Sequence, residues 1–94
     1  MGLYVEMAVR FRVVAREVDD DGNHTGKTLA RNFEHSCVPG IGHKLGLDGE
    51  WPEGGAYWTS GTVVEVVHHL RDKLITVYAE VPSFSYLKKD SSWE

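Results

Sequence analysis

Apolar residues recur at every second position along much of this chain, and no segment longer than about ten residues carries them at helical spacing. The first segment shows this most clearly, because Val5, Met7, Val9, Phe11 and Val13 alternate with polar or small residues. Alternation with a period of two is typical of a strand that buries one face. The sequence therefore predicts an all-β chain with little or no helix.

Four further segments complete a predicted set of five short strands. Residues 27–33 form the second strand, and a brief apolar alternation at Leu45 and Leu47 follows a glycine-rich turn. Residues 62–70 and 74–81 are two β-branched runs separated by three turn residues, which predicts a hairpin. Because short strands protect their edges best by curling, we expect a small five-stranded barrel or a strongly bent antiparallel sheet.

Two places interrupt the alternation. After Val13 the apolar phase slips by one residue to Val14, which predicts a β-bulge or a bend. Residues 48–61 show neither the strand period nor the helix period, and they contain four glycines and a proline. This stretch is therefore predicted as a long irregular loop.

The chain is expected to form one domain. Its 94 residues suit a single core, and no linker rich in proline, glycine or serine divides them. We assign residues 1–82 to a single β domain. Residues 83–94 follow Pro82 and become polar, so they are predicted as a C-terminal tail or a short closing strand.

Cysteine content and the amino-terminal pattern both bear on the compartment. Cys37 is the single cysteine, so an intramolecular disulfide is excluded and a reducing compartment fits best. Residues 1–18 alternate, whereas a signal peptide or a membrane span requires an unbroken apolar run. We therefore expect a cytoplasmic protein without a membrane segment.

Residues 38–81 follow an order of proline, glycine, short strand, variable loop, Gly-x-Val and hairpin. The residues that carry this order are Pro39, Gly42, Lys44, Leu45, Leu47, Gly61, Val63, Val66, Ile75 and Val77. The order resembles that of SH3-like small barrels, including the translation-factor and KOW-type versions, although His43 replaces the usual acid after the second glycine. The resemblance implies an SH3-like barrel. Members of this superfold bind peptides, RNA, DNA or protein partners, so it leaves the ligand open.

Five histidines and one cysteine raise the question of a metal site or an enzyme. His35 and Cys37 lie two positions apart and His43 follows, but this spacing matches no established zinc pattern. His68 and His69 are neighbours in a predicted strand, so their side chains point to opposite faces. No catalytic residue, metal or other cofactor is predicted, and a metal-dependent or cysteine-dependent enzyme is the weakest functional class.

The aromatic residues Trp51, Tyr57 and Trp58 are the candidates for binding a protein partner. Large, rigid aromatic side chains provide much contact area at low entropic cost, as in interface hot spots. The opposite interpretation is that these rings fold back and fill the open end of a small barrel.

The arginines Arg10, Arg12 and Arg16 are the candidates for binding an anion or a nucleic acid. Beside a stacking aromatic they would resemble a nucleic-acid groove. The formal net charge of −4 repels phosphate backbones, however, and therefore disfavours nucleic acid as the partner.

These arguments favour a small non-enzymatic domain that binds a protein partner or regulates one, as an inhibitor or an accessory subunit would. A homodimer formed through an unpaired edge strand is compatible with this function. A nucleic-acid-binding barrel is the alternative hypothesis.

Overall fold

The computed structural model describes residues 8–94, and these form one five-stranded sheet. Val5 and Met7, at the start of the first predicted strand, lie outside the described residues. The strands are β1 (Val9–Val18), β2 (His24–His35), β3 (Lys44–Glu50), β4 (Ala56–His69) and β5 (Leu74–Val81). A single turn of 3-10 helix follows at Leu87–Lys89. The predicted all-β class and the five-strand count are confirmed.

The sheet has the strand order β2-β1-β5-β4-β3 and curls into a half-barrel. Neighbouring strands are antiparallel except for β1 and β5, which run parallel. The predicted bent sheet is therefore mixed and not purely antiparallel. Alternation within a strand shows which face is buried, but it carries no information about the direction of a partner that is distant in sequence.

The hydrophobic core lies on the concave face of the half-barrel. Val13 of β1 is opposite Val77 of β5, and Ala15 is opposite Ala79, so these side chains share one face. All four are almost completely buried. The other buried apolar residues of the core are Phe11, Leu47, Tyr57, Val63, Val81, Phe84, Leu87 and Trp93.

The register of β1 differs from the predicted slip at Val14. Val14 stays in register with Ala30 of β2, on the outer face of the sheet. The irregularity comes later, between Arg16 and Val18. Half-burial of Val14 by its neighbours on the outer face explains why an apolar residue occupies a position that does not face the core.

The predicted long loop over residues 48–61 is wrong, because β3 and β4 extend into it and leave a turn of residues 51–55. The N–H of Trp51 donates to the carbonyl of Gly55 at 3.0 Å and closes this turn. The alternation in β4 was hidden because Thr59 and Gly61, which are not large apolar residues, occupy positions on its core face.

Residues 83–94 pack onto the concave face. Phe84, Leu87 and Trp93 are buried there, although most of their neighbours in sequence are polar. Glu94 and Ala30 exchange two backbone hydrogen bonds of 2.9 Å, so the end of the segment pairs with the outer edge of β2. Within residues 8–94, no helix has the length and apolarity needed to cross a membrane.

Candidate functional site: a cleft between the edge strands

An apolar cleft lies beside the core on the open side of the half-barrel. Strands β2 and β3 are the two ends of the sheet, so the curl brings them to either side of a gap, which we call the seam. Residues 33–35 of β2 and 44–47 of β3 both line the cleft in this seam. The cleft is therefore bounded by the two edge strands.

The cleft has a volume of about 350 Å³, which lies near the lower end of the range of roughly 300–1,000 Å³ that is typical of ligand sites. Its apolar lining consists of Phe11, Val13, Phe33, Pro39, Leu45 and Leu47. Among the residues that the structure describes, no side chain fills this volume. The cleft can therefore accept one apolar side chain of a ligand.

The connection between β2 and β3 forms one wall of the cleft, and local backbone geometry holds it in place. Gly42 has a φ of +87°, a left-handed conformation that favours glycine. Its N–H donates to the carbonyl of Val63 at 2.8 Å, and the Val63 N–H donates to the carbonyl of His43 at 2.9 Å. These bonds attach the connection to β4 and place His43 at the cleft.

The polar rim of the cleft is rich in hydrogen-bond donors. The Nδ1 atom of His43 accepts the N–H of Gly40 at 3.0 Å, so in the neutral ring Nε2 carries the proton. The Nδ1 atom of His35 similarly accepts the N–H of Cys37, at 3.4 Å. Lys44 follows His43, is exposed, and belongs to the same lining. Three side chains of the rim thus offer N–H groups to a ligand.

Glu34 is the acidic residue in the lining of the cleft, and it is already paired. Its Oε1 atom lies 2.7 Å from Nε of Arg10 on the outer face of the sheet. This ion pair is exposed, and it compensates the one negative charge at the rim. Lys44 and the imidazole N–H groups are therefore polar groups of the lining that this ion pair leaves available to a ligand.

Cys37 also lies at the rim and is exposed. Its Sγ atom is 4.0 Å from Nδ1 of His35, and the backbone N–H of Cys37 is directed at the same nitrogen. Within residues 8–94, no group of three or more His, Cys, Asp or Glu side chains is placed to hold a metal ion. The arrangement gives Cys37 a neighbouring base, and none of the described contacts supplies a third group that would orient this base.

The outer edge of β3 offers unpaired backbone groups beside the cleft. Bonds from Trp51 to Gly55 and from Val63 to His43 mark both ends of the β3–β4 ladder. Bonded positions alternate along an antiparallel ladder, which identifies the residues that face away from β4. These residues are Lys44, Gly46, Asp48 and Glu50. Within the described part of the chain nothing pairs with their backbone, so an added strand can do so.

The structure separates the three aromatic candidates. Tyr57 is buried in the core, whereas Trp58, the next residue of β4, lies on the outer face and is 67% exposed. Trp51 is half-buried, stacks on Tyr57 with ring centroids 5.5 Å apart, and donates its indole N–H to the carbonyl of Tyr86 at 3.1 Å. No single surface contains all three rings, and Trp58 is the one that a partner can reach freely.

The structure brings the three arginine candidates onto one face, because Arg10, Arg12 and Arg16 occupy alternate positions of β1 on the outer side of the sheet. Acidic residues share this face. Glu34 is opposite Arg10 and binds it, and Glu80 is opposite Arg16. The Arg16 guanidinium lies 4.2 Å from the centre of the Tyr78 ring. Two of the three arginines therefore lie beside a glutamate, and Glu80 also contacts Nε2 of His24 at 2.6 Å.

Several cleft residues carry a sequence signal for the fold but none for a binding site. Lys44, Leu45 and Leu47 belong to the residue order that resembles SH3-like barrels, and His43 departs from that order. The available signal was the position of His35, Cys37 and His43 around a connection that contains proline and glycine. Comparison of the chain with protein-family models, curated proteins and solved structures finds no match to any of them.

Proposed function

We propose that this chain is a non-enzymatic protein-binding module that takes up an extended segment of a partner protein in the seam. The observation that carries the proposal is the free edge of β3 beside an apolar cleft. An extended segment can add to such an edge through its main chain and place one side chain in the cleft. Main-chain pairing would provide affinity, and the cleft would select the side chain.

The chain's own C-terminal segment supports this mode of binding. The Glu94 backbone pairs with Ala30 on the outer edge of β2, and the adjacent Trp93 side chain is buried beside the Phe33 ring, with centroids 5.8 Å apart. The end of the chain, with an aromatic anchor beside it, thus already pairs with one edge of the seam. The free edge of β3 offers the same chemistry to a partner.

The resemblance to SH3-like small barrels is consistent with this proposal, since members of that superfold bind peptides. A module of this kind would act as an accessory subunit or as an inhibitor of its partner. Nucleic acid fits less well, because the arginines of the outer face stand beside Glu34 and Glu80 and the net charge is −4.

Selection from a displayed library of random linear nonapeptides on the immobilised full chain tests the proposal. We expect enrichment of peptides with a large apolar residue flanked by β-formers. Leu45→Lys places a charge in the cleft lining and should weaken the selected peptides by more than about tenfold. Ile41→Lys is the matched control, because Ile41 is 70% exposed and lies outside the lining.

A second pair of variants tests pairing with the β3 edge. Asp48→Pro removes an N–H that faces away from β4, whereas Asp48→Ala removes only the side chain. Peptide affinity should fall in Asp48→Pro and stay near wild type in Asp48→Ala, with both melting temperatures recorded. The proposal is wrong if no peptide is enriched over a selection on the Leu45→Lys protein.

A further inference from the structure

We infer that the segment bound in the seam carries an acidic side chain within two positions of its apolar anchor. This inference rests on the proposed function and specifies the chemistry of the partner. It comes from the contrast between the apolar lining of the cleft and the donors at its mouth. The lining selects the anchor, and the rim selects the charge beside it.

The anchor follows from the shape and lining of the cleft. The rings of Phe11 and Phe33 are stacked, with centroids 6.3 Å apart, and both line the cleft together with Leu45 and Leu47. A polar side chain placed here would lose its water without gaining a partner in the lining. A leucine-sized or phenylalanine-sized side chain fits within the volume and would displace water from apolar surface.

The acidic neighbour follows from the rim. Lys44 is positively charged, and His35 and His43 each present an Nε2–H donor because their Nδ1 atoms accept backbone N–H groups. Glu34, which could repel an acid, is engaged by Arg10. A carboxylate is the side chain that accepts from such a set, and charge-assisted hydrogen bonds are stronger than neutral ones.

The distance of two positions follows from strand geometry. A β-strand advances about 3.3 Å per residue, so a residue two positions from the anchor lies about 7 Å along the strand on the same face. His43 and Leu45 are two positions apart, on either side of Lys44, and both line the cleft, so a donor and the apolar part of the site are separated by a similar distance. An extended segment can therefore occupy both parts at once.

The experiment compares four synthetic nonapeptides that share a Thr/Val framework, with fluorescence anisotropy on the full chain as the measurement. Three have a central Phe with Glu, Gln or Lys two positions away, and the fourth replaces the Phe of the Glu peptide by Ser. We expect the Glu peptide to bind about five- to tenfold more tightly than the Lys peptide. The difference should shrink at high salt.

Lys44→Glu provides the complementary test on the protein, because Lys44 is exposed and its replacement leaves the core intact. This variant should lose the preference for the Glu peptide or reverse it, whereas Lys44→Gln should reduce it. The melting temperatures of both variants serve as the folding control.

The outcomes separate the inference from the proposed function. Equal binding of the Glu, Gln and Lys peptides, all tighter than the Ser peptide, overturns the acidic preference and leaves the binding module standing. Binding of no Phe peptide above the Ser peptide overturns both. A concentration-dependent dimer that Leu45→Lys dissociates, seen by sedimentation, would assign the cleft to a second copy of the chain and overturn the inference.

Discussion

The hydroxyl of Tyr57 donates a hydrogen bond of 2.6 Å to the Asp90 carboxylate, and both side chains are buried. The bond joins β4 to the C-terminal segment on the concave face of the half-barrel. Burial, together with the bond to Asp90, raises the pKa of Tyr57 to about 12. The phenol therefore keeps its proton at neutral pH and remains the donor. Asp90 also accepts the N–H of Ser92 at 2.9 Å, and Arg31 lies 3.7 Å away.

Tyr57→Phe should lower the free energy of unfolding by about 1.5–3 kcal/mol, the range for a hydrogen bond to a charged group. The variant keeps the ring and leaves the buried Asp90 carboxylate without its shortest donor. Urea unfolding of both proteins measures the difference. Tyr86→Phe is the control, because Tyr86 is 47% exposed and its hydroxyl makes no hydrogen bond within residues 8–94. Equal losses in the two variants would contradict the assigned role of the bond.

Acid should loosen the C-terminal segment through two carboxylates. The Glu17 carboxylate accepts the N–H of Phe84 at 2.8 Å, and this bond holds the pKa of Glu17 below its ordinary value of 4.5. The hydrogen bond from Tyr57 similarly holds the pKa of Asp90 below 3.8. A carboxyl group whose pKa is lower in the folded protein than in the unfolded chain stabilises the fold. This stabilisation is fully present at a pH above the ordinary pKa, and it is lost as the pH falls through the lowered pKa.

Urea midpoints recorded between pH 7 and pH 2 test this dependence. Wild-type stability should decline as the pH falls below about 4.5, the ordinary value for Glu17, and Glu17→Gln should decline less steeply. Glu53→Gln is the control, because Glu53 is exposed in the β3–β4 turn and makes no side-chain hydrogen bond among the described residues. Parallel curves for wild type and Glu17→Gln would show that the contact with Phe84 does not stabilise the fold.

The strands could be predicted from sequence because each buries one face, which a period of two reveals directly. The start of β4 could not be predicted from sequence, because Gly61 occupies a core-facing position where the strand pattern requires an apolar side chain. A Cβ at Gly61 would lie 3.2 Å from the Val81 side chain and 3.3 Å from that of Ala79, so the close approach of β4 and β5 requires a small residue. The sequence alone does not distinguish a glycine that is required by close packing of two strands from a glycine that lies in a loop.

The cleft and the C-terminal packing depend on contacts between residues far apart in sequence. Phe84, Leu87, Asp90 and Trp93 are buried at intervals of three residues, and a single 3-10 turn at Leu87–Lys89 is the regular element there, so neither a strand nor an α-helix is encoded in this segment. The cleft exists because β2 and β3 are the ends of the sheet. That strand order depends on the parallel pairing of β1 with β5, which no local pattern encodes.

Replacing Trp51 and Trp58, two of the aromatic candidates for partner binding, should have unequal effects on stability. Trp51→Ala removes stacking on Tyr57 and the hydrogen bond to the Tyr86 carbonyl, so we expect a loss of about 2–4 kcal/mol. Trp58→Ala removes a side chain that is 67% exposed, and the loss should stay within about 0.5 kcal/mol. Thermal and urea unfolding measure both. Similar losses would contradict the placement of the two rings.

Two glycines of β3 should differ sharply in their tolerance of alanine. A Cβ at Gly49 would lie 2.7 Å from the Asp90 carboxylate and 2.7 Å from the Tyr57 hydroxyl, so the added methyl must separate the two bonded groups or move the strand. We expect Gly49→Ala to cost about 1–3 kcal/mol, as overpacking of a closed site does. A Cβ at Gly46 meets only the indole nitrogen of Trp58, at 3.3 Å, and that exposed ring can shift.

Gly46→Ala is therefore the matched control, on the same strand and with the same change in backbone entropy. Its stability should lie within about 0.5 kcal/mol of wild type, the usual range for surface substitutions. In a double mutant with Tyr57→Phe, the cost of Gly49→Ala should shrink, because one of the groups that the methyl displaces is already absent. Additive costs would indicate that Gly49→Ala destabilises the strand itself and leaves the Tyr57 to Asp90 bond in place.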